Sequence, residues 1–174
     1  APESGSDALR FSCGKKFTND LIIEKLIMAK SKGVDQAKLY FMIGLPGETE
    51  EDILAIADLA ANIIEKTAQN IILSVTPFIP KPGTPWENES FAGIPQIRKK
   101  YNILSSAVRA IKKKTPQLRL TSPKEADTEY NLAWFGYKDS LDIALAPSIS
   151  DYLKNNRSSR EKTLFDLKNL FPDK

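Results

Sequence analysis

No histidine occurs in the 174 residues, so imidazole acid–base chemistry and histidine-ligated metal sites are excluded within this chain. Cysteine occurs once, at Cys13. A single thiol permits no internal disulfide and no metal site made of cysteine alone, and its scarcity predicts a reduced, cytoplasmic setting. No apolar run approaches the roughly 20 residues needed to span a bilayer, so no membrane partner is expected. The first residues, APESGSDALR, lack the basic-then-apolar order of a signal peptide. Net charge is small as well, +3 over the chain. A nucleic-acid binder carries a clustered basic face, so nucleic acid is not an expected partner. What is present is ordinary for a globular protein: 41% hydrophobic and 27% charged residues, in a chain long enough to build one core.

Apolar periodicity divides the chain into alternating elements. Residues 17 to 33, FTNDLIIEKLIMAKSKG, place Leu21, Ile22, Leu26, Ile27 and Met28 in helical phase. Thr18 or Asn19 caps the start of that helix and Gly33 closes it. AKLYFMI, residues 37 to 43, is apolar on both faces, as a parallel strand covered on both sides should be. Thr49 to Lys66 predicts a second helix, with Ile53, Ile56, Ala57, Ala60, Ile63 and Ile64 as its buried stripe. NIILSVTPF, residues 70 to 78, reads as a second strand, and PKPGTPW, residues 80 to 86, as a proline-stiffened loop. Pro95 to about Lys114 predicts a third helix with Ile97, Tyr101, Leu104, Val108 and Ile111 on one face. LRLTS, residues 118 to 122, predicts a third strand. The alternation implies an α/β fold with a parallel sheet and right-handed crossovers. After Ser122 the pattern changes to short helices broken at Gly136, at Pro147 and at an Asn-Asn-Arg-Ser-Ser turn. The expected division is therefore 1–122 and a helical extension, 123–174. Glu3-Ser4-Gly5-Ser6 reads as a loop that should follow a strand, so the chain is expected to be the C-terminal portion of a longer protein.

KLYFMIGLPGETEEDI, residues 38 to 53, runs from a strand through a Gly/Pro turn into an acidic helix start. Gly44 and Gly47 allow a sharp turn. Thr49 and Asp52 fit a capping box, and Glu50, Glu51 and Asp52 suit the positive end of a helix. The acidic row is thus a helix start and not a catalytic cluster. A phosphate-cradling loop fits poorly, since no Gly-Lys-Ser/Thr follows and the acids would repel an anion.

Three stretches taken together carry more than local structure: APESGSDALRFSCGKKFTNDLIIEKLIMAKSKGV, KLYFMIGLPGETEEDI and ILSVTPFIPKPGTPWE. In this order and spacing they resemble the second half of the radical S-adenosylmethionine superfamily. The resemblance covers roughly residues 2 to 122 and is nearest to the broad Fe–S oxidoreductase group whose members often carry a cobalamin-binding domain. It implies half of a partial (β/α) TIM-like barrel, and a [4Fe–4S] cluster and S-adenosylmethionine as cofactors of the full-length parent, with cobalamin a further candidate. It implies a cofactor cleaved reductively to a 5′-deoxyadenosyl radical. The Cys-x3-Cys-x2-Cys loop that holds the cluster in the family is absent here, and one thiolate cannot replace it. The chain alone is therefore expected to be inactive, with no metal ligands and no assigned catalytic residue. Its expected partner is the missing barrel half, or a second copy of itself.

Carried over residue by residue, the resemblance places Glu3 and Ser4 at the ribose and methionine part of the cofactor. An ionised carboxylate accepts from ribose hydroxyls; a frayed terminal acid is the alternative reading of Glu3. Lys15 matches a basic position that pairs with the methionine carboxylate, with Lys16 next to it and a solvated turn as the alternative. Tyr40 and Met42 share a strand face that borders the cofactor in the family, although barrel core is the preferred reading of both. Gly44, with Pro46, shapes the turn beyond them. Ser74 and Thr76 share a face of the next strand, which leads into Pro77 and Phe78 near the adenine; satisfied core hydroxyls are the alternative. The PKPGTPW loop belongs at the same barrel mouth, where Trp86 could lid a substrate or pack on the rim. Lys112, Lys113 and Lys114 end a helix, and Lys99 and Lys100 lie on its polar side; solvated helix ends explain them better than RNA binding does. Tyr130, Trp134, Phe135 and Tyr137 are expected to form a core or domain contact. Two further readings stay open: a non-catalytic binding module made from the same barrel half, and a plain (β/α) enzyme using carboxylates such as Glu48.

Overall fold

Capping and apolar spacing settle most of the elements. In the computed structural model, which describes residues 1–138, the order is α1 (Asp7–Ser12), α2 (Asn19–Ser31), β1 (Gln36–Ile43), α3 (Glu50–Thr67), β2 (Asn70–Pro77), α4 (Gly93–Arg109), β3 (Gln117–Leu120) and α5 (Pro123–Lys138). Thr18 caps α2 by accepting the Leu21 N–H. Thr49 and Asp52 form the full capping box of α3, each side chain accepting the other residue's N–H. That helix ends at Ala68, a left-handed residue whose N–H donates to the Ile64 carbonyl.

The three strands pair in parallel in the order β1-β2-β3. Helix α3 connects the first pair and α4 the second. One apolar cluster joins Leu39, Phe41 and Ile43 of β1, Ile71, Leu73 and Val75 of β2, the stripe of α3, Ile23 of α2, and Ile97, Tyr101, Leu104 and Val108 of α4. Burying each large aliphatic side chain contributes about 1.5–3 kcal/mol, so this shared layer dominates the fold's stability. Tyr101 adds a polar tie: its hydroxyl donates to the Thr121 carbonyl at 3.0 Å, beyond the end of β3.

Several expectations need correction. Among the described residues β1 is not covered on both faces: Leu39, Phe41 and Ile43 are buried while Gln36, Lys38 and Tyr40 are exposed. Apolar character at Tyr40 and Met42 had suggested two covers, yet α2, α3 and α4 pack against one side. Helix α4 starts two residues early and stops at Arg109, so Lys112–Lys114 follow the helix and do not end it. Gly136 does not break the chain but lies inside α5. The short helix α1 had no expectation, having few residues and little apolar phase. The breaks at Pro147 and at the Asn-Asn-Arg-Ser-Ser turn lie outside the described residues.

The chain divides into two units, Ala1–Ile79 with Glu89–Ala126, and Pro80–Asn88 with Asp127–Lys174. The PKPGTPW loop thus groups with the second unit. Within that unit the Trp134 indole N–H donates to the Pro80 carbonyl at 3.0 Å, the Trp134 and Tyr130 rings lie 6.3 Å apart, and Lys81 pairs with Glu129 at 2.7 Å. The side chains of Phe135 and Tyr137 lie outside the described residues. Among the described residues no helix is long and apolar enough to cross a membrane.

Candidate functional site

The residues preceding α1 extend the sheet by a single position. The Glu3 N–H donates to the Tyr40 carbonyl at 3.1 Å and the Met42 N–H donates to the Glu3 carbonyl at 2.7 Å, a parallel bridge to β1. Glu3 takes φ +62°, in the left-handed region. For a residue with a Cβ this costs roughly 1–2 kcal/mol, so something must hold it. Arg10 does. Its guanidinium is fully buried and grips both neighbours of Glu3, the Pro2 carbonyl at 3.0 Å and the Ser4 carbonyl at 2.7 Å. Asp7 at 2.6 Å, the Asn19 Oδ1 at 2.5 Å and the Phe17 carbonyl at 3.3 Å complete its shell, and the Phe17 ring lies against it at 5.5 Å. Burial lowers the Arg10 pKa, and Asp7 opposes that shift.

Glu3 and Lys15 come together: their charged atoms are 3.5 Å apart, with the Glu3 side chain largely shielded. Cys13 sits close by, and burial pushes its thiol pKa up, which disfavours a reactive thiolate. Ser4 is 2% exposed, and its hydroxyl accepts the Ser6 N–H at 3.3 Å. It braces the loop and is not presented outward. Gly5 is required by close approach, because a Cβ there would lie 2.2 Å from the Ile56 nitrogen of α3. Ser6 donates a short hydrogen bond to Asp52, tying the same loop to the α3 start.

At the carboxyl end of β1, Gly44 turns the chain at φ +82°. Its N–H donates to the Glu48 carboxylate at 2.7 Å, and Lys100 of α4 pairs with the same oxygen at 2.6 Å. The Glu48 side chain is only 2% exposed, and burial, opposed by Lys100, pushes its pKa up. Glu48 is therefore the pin of the turn, which leaves little for the reading of it as an enzymatic carboxylate. Lys100, expected on the polar side of its helix, is turned inward by this ion pair. Lys113 and Lys114 reach the end of α3 instead of capping their own helix, at Glu65 (3.6 Å) and the Ala68 carbonyl (3.2 Å).

The register aligns the remaining candidates. Tyr40 pairs with Ser74 and Met42 with Thr76, so all four share the face turned away from the helices. Tyr40 is 49% exposed, so core is not its role within the described residues. Pro77 is buried opposite Ile43, on the helix side, and Phe78 donates its N–H to the Ile43 carbonyl at 2.8 Å. The structure adds residues that sequence reasoning passed over. Arg119 of β3 pairs with Ser74, and Lys38 lies one row earlier with its ammonium 4.7 Å from the Tyr40 ring centre. Register alone exposes this alignment, and register is not legible in a four-residue strand.

No protein-family model matches the chain. It is similar to the uncharacterized protein MJ0966 of Methanocaldococcus jannaschii, 42% identical over 91 residues. The match takes in 52% of this chain and 20% of that protein, so the chain spans about a fifth of its relative's length. No solved structure matches.

Chemically, the described site offers one shielded carboxylate, a neighbouring ammonium, three hydroxyls on a sheet face and two cations beside them. No group of three or more histidine, cysteine, aspartate or glutamate side chains placed to hold a metal ion occurs among the described residues.

Proposed function

We propose that this chain is the C-terminal part of a radical S-adenosylmethionine enzyme, contributing consecutive β/α units of a partial barrel and one side of the cofactor site. The observation that carries the reading is the parallel bridge between Glu3 and Phe41 at the free edge of β1. It adds a fourth parallel position to the sequential order β1-β2-β3, and so lines up Glu3, the β1–Gly44 turn and the end of β2 as neighbouring strand ends. Ligands of parallel α/β folds bind at such carboxyl ends.

The residues fit the organic cofactor. Glu3 can accept from a ribose diol, Lys15 is placed to share its charge with a carboxylate, and Ser74 and Thr76 supply hydroxyls on the face that a closed barrel would turn inward. The role of Glu3 also gives a reason for its strained backbone, which Arg10 maintains. The same residues do not fit the cluster: Cys13 is the sole cysteine, and in this reading the cluster ligands come from elsewhere in the parent. The chemistry that the resemblance assigns to the bound cofactors is radical initiation; this chain's part is to bind and orient.

The test is cofactor affinity in the full-length protein. Glu3→Ala should weaken S-adenosylmethionine binding by about 1–3 kcal/mol, the range for leaving buried partners unsatisfied. Lys15→Met keeps the Glu3 carboxylate but removes both the ion pair and the cation proposed for the cofactor carboxylate, and should weaken binding as well. Unchanged affinity in a folded Glu3→Ala protein would return Glu3 to a structural role.

A further inference from the structure

The face of the sheet opposite the helices has an unusual composition. Strand alternation and register place Gln36, Lys38, Tyr40 and Met42 of β1, Asn70, Ile72, Ser74 and Thr76 of β2, and Gln117 and Arg119 of β3 on it. No carboxylate is among them, although aspartate and glutamate make up 22 of the 174 residues. Both charged members are cations, and six of the other eight side chains can donate a hydrogen bond.

The register then sets the spacing. Tyr40, Ser74 and Arg119 form one row across the three strands, and Lys38, Ile72 and Gln117 the row before it. Neighbouring strands lie about 4.8 Å apart, so Tyr40 and Arg119 flank Ser74 at a separation that two long side chains can span. Ile72, 8% exposed, gives the neighbouring row an apolar floor. Lys38 leans over the Tyr40 ring at 4.7 Å, and Arg119 donates to the Gln117 side-chain oxygen at 3.3 Å. Among the described residues neither cation has a carboxylate partner, whereas Arg10, Lys15, Lys30 and Lys100 each have one. A guanidinium beside hydroxyl donors is suited to a planar or tetrahedral oxyanion.

We propose that Arg119 and Lys38, with the hydroxyls between them, form an anion-binding site that takes the carboxylate or phosphate group of a small-molecule substrate. Two cations balance one such group, whereas tracking a nucleic-acid backbone needs a longer basic stripe. The small size of the ligand rests on the barrel reading, in which this face is enclosed; the anion preference does not.

The test is an amide chemical-shift titration of the full-length protein with inorganic phosphate and, separately, with malonate as the carboxylate probe. Saturable shifts are expected at Tyr40, Ser74 and Arg119 with at least one probe, and the tighter probe identifies the group. Arg119→Gln and Lys38→Gln, both at exposed positions, should each weaken binding at least tenfold. Shifts that avoid this face, affinities indifferent to both substitutions, or binding confined to oligonucleotides with a length-dependent affinity would overturn the proposal. S-adenosylmethionine is titrated into the same samples. Anion binding without cofactor binding would defeat the barrel reading alone; cofactor binding without anion binding would defeat this one alone.

Discussion

Individual side chains here differ most in what their removal leaves behind. Lys100 neutralises a carboxylate that is 2% exposed and also bonded to the Gly44 N–H. Lys100→Met should destabilise the fold by about 3–5 kcal/mol, the range for stranding a buried charge, and Glu48→Gln in the same background should recover much of the loss. Urea unfolding of the two proteins measures both. A loss below 1 kcal/mol would mean that Glu48 takes up a proton or reaches water without structural consequence. Asp52 gives a pH signature of its own. Burial works to raise its pKa, but hydrogen bonds from Ser6 and Thr49 outweigh that and hold it below the ordinary carboxylate value. A depressed acid contributes stability above its unfolded pKa and loses it as pH falls through the folded one. Glu48, shifted upward, has the opposite slope: its share declines as pH rises through its folded pKa. Ser6→Ala should therefore flatten the acid-side loss of stability relative to the parent, read from melts across the acid range. An unchanged difference profile would remove Ser6 as the cause.

Elements follow from the sequence where the signal is local, and fail where it is tertiary. The capping box at Thr49 and Asp52 and the cap at Thr18 were legible because side chain and backbone partner lie within three residues. Both long strands were legible from their β-branched and aromatic runs. The end of α4 was not: three lysines imitate a helix C-terminus, yet Lys113 and Lys114 are drawn to the end of α3. Arg10 was invisible as a core residue, since burying a guanidinium depends on five acceptors supplied by residues 2 to 19. The contact of the first loop with α3 is equally tertiary. Gly5→Ala should cost at least the 1–3 kcal/mol typical of overpacking, because the obstructing atoms at 2.2 and 2.4 Å are backbone and cannot swing away. Thr49→Ala, losing only a cap, should cost about 1 kcal/mol. Thermal melts of the two proteins would expose a wrong assignment if their order were reversed.

For the molecule as a whole, the outer edge of β1 governs how the sheet is completed, and the backbone makes that measurable. In a parallel strand the N–H and C=O of one residue point to the same side, and successive residues alternate. Leu39, Phe41 and Ile43 therefore bond toward β2, while Lys38, Tyr40 and Met42 present theirs at the opposite edge. On that edge Glu3 accepts the Met42 N–H and donates to the Tyr40 carbonyl. Among the described residues nothing takes the N–H of Lys38 or Tyr40. An apolar strand with such an edge invites pairing, and a charge on it discourages the wrong partner; Lys38 is well placed for that. Hydrogen exchange separates the cases. If the 174-residue chain stands as described, the amides of Lys38 and Tyr40 should exchange far faster than those of Leu39, Phe41 and Met42, since only the latter three are bonded. If a preceding strand of a longer protein, or a second copy, completes the sheet, all five should be protected alike. Comparison of the chain with its full-length parent should then show protection of Lys38 and Tyr40 gained in the parent alone. Equal protection in both, in a chain that sediments as a monomer, would mean that residues beyond those described fold back over the edge, and the barrel reading would lose its missing strand.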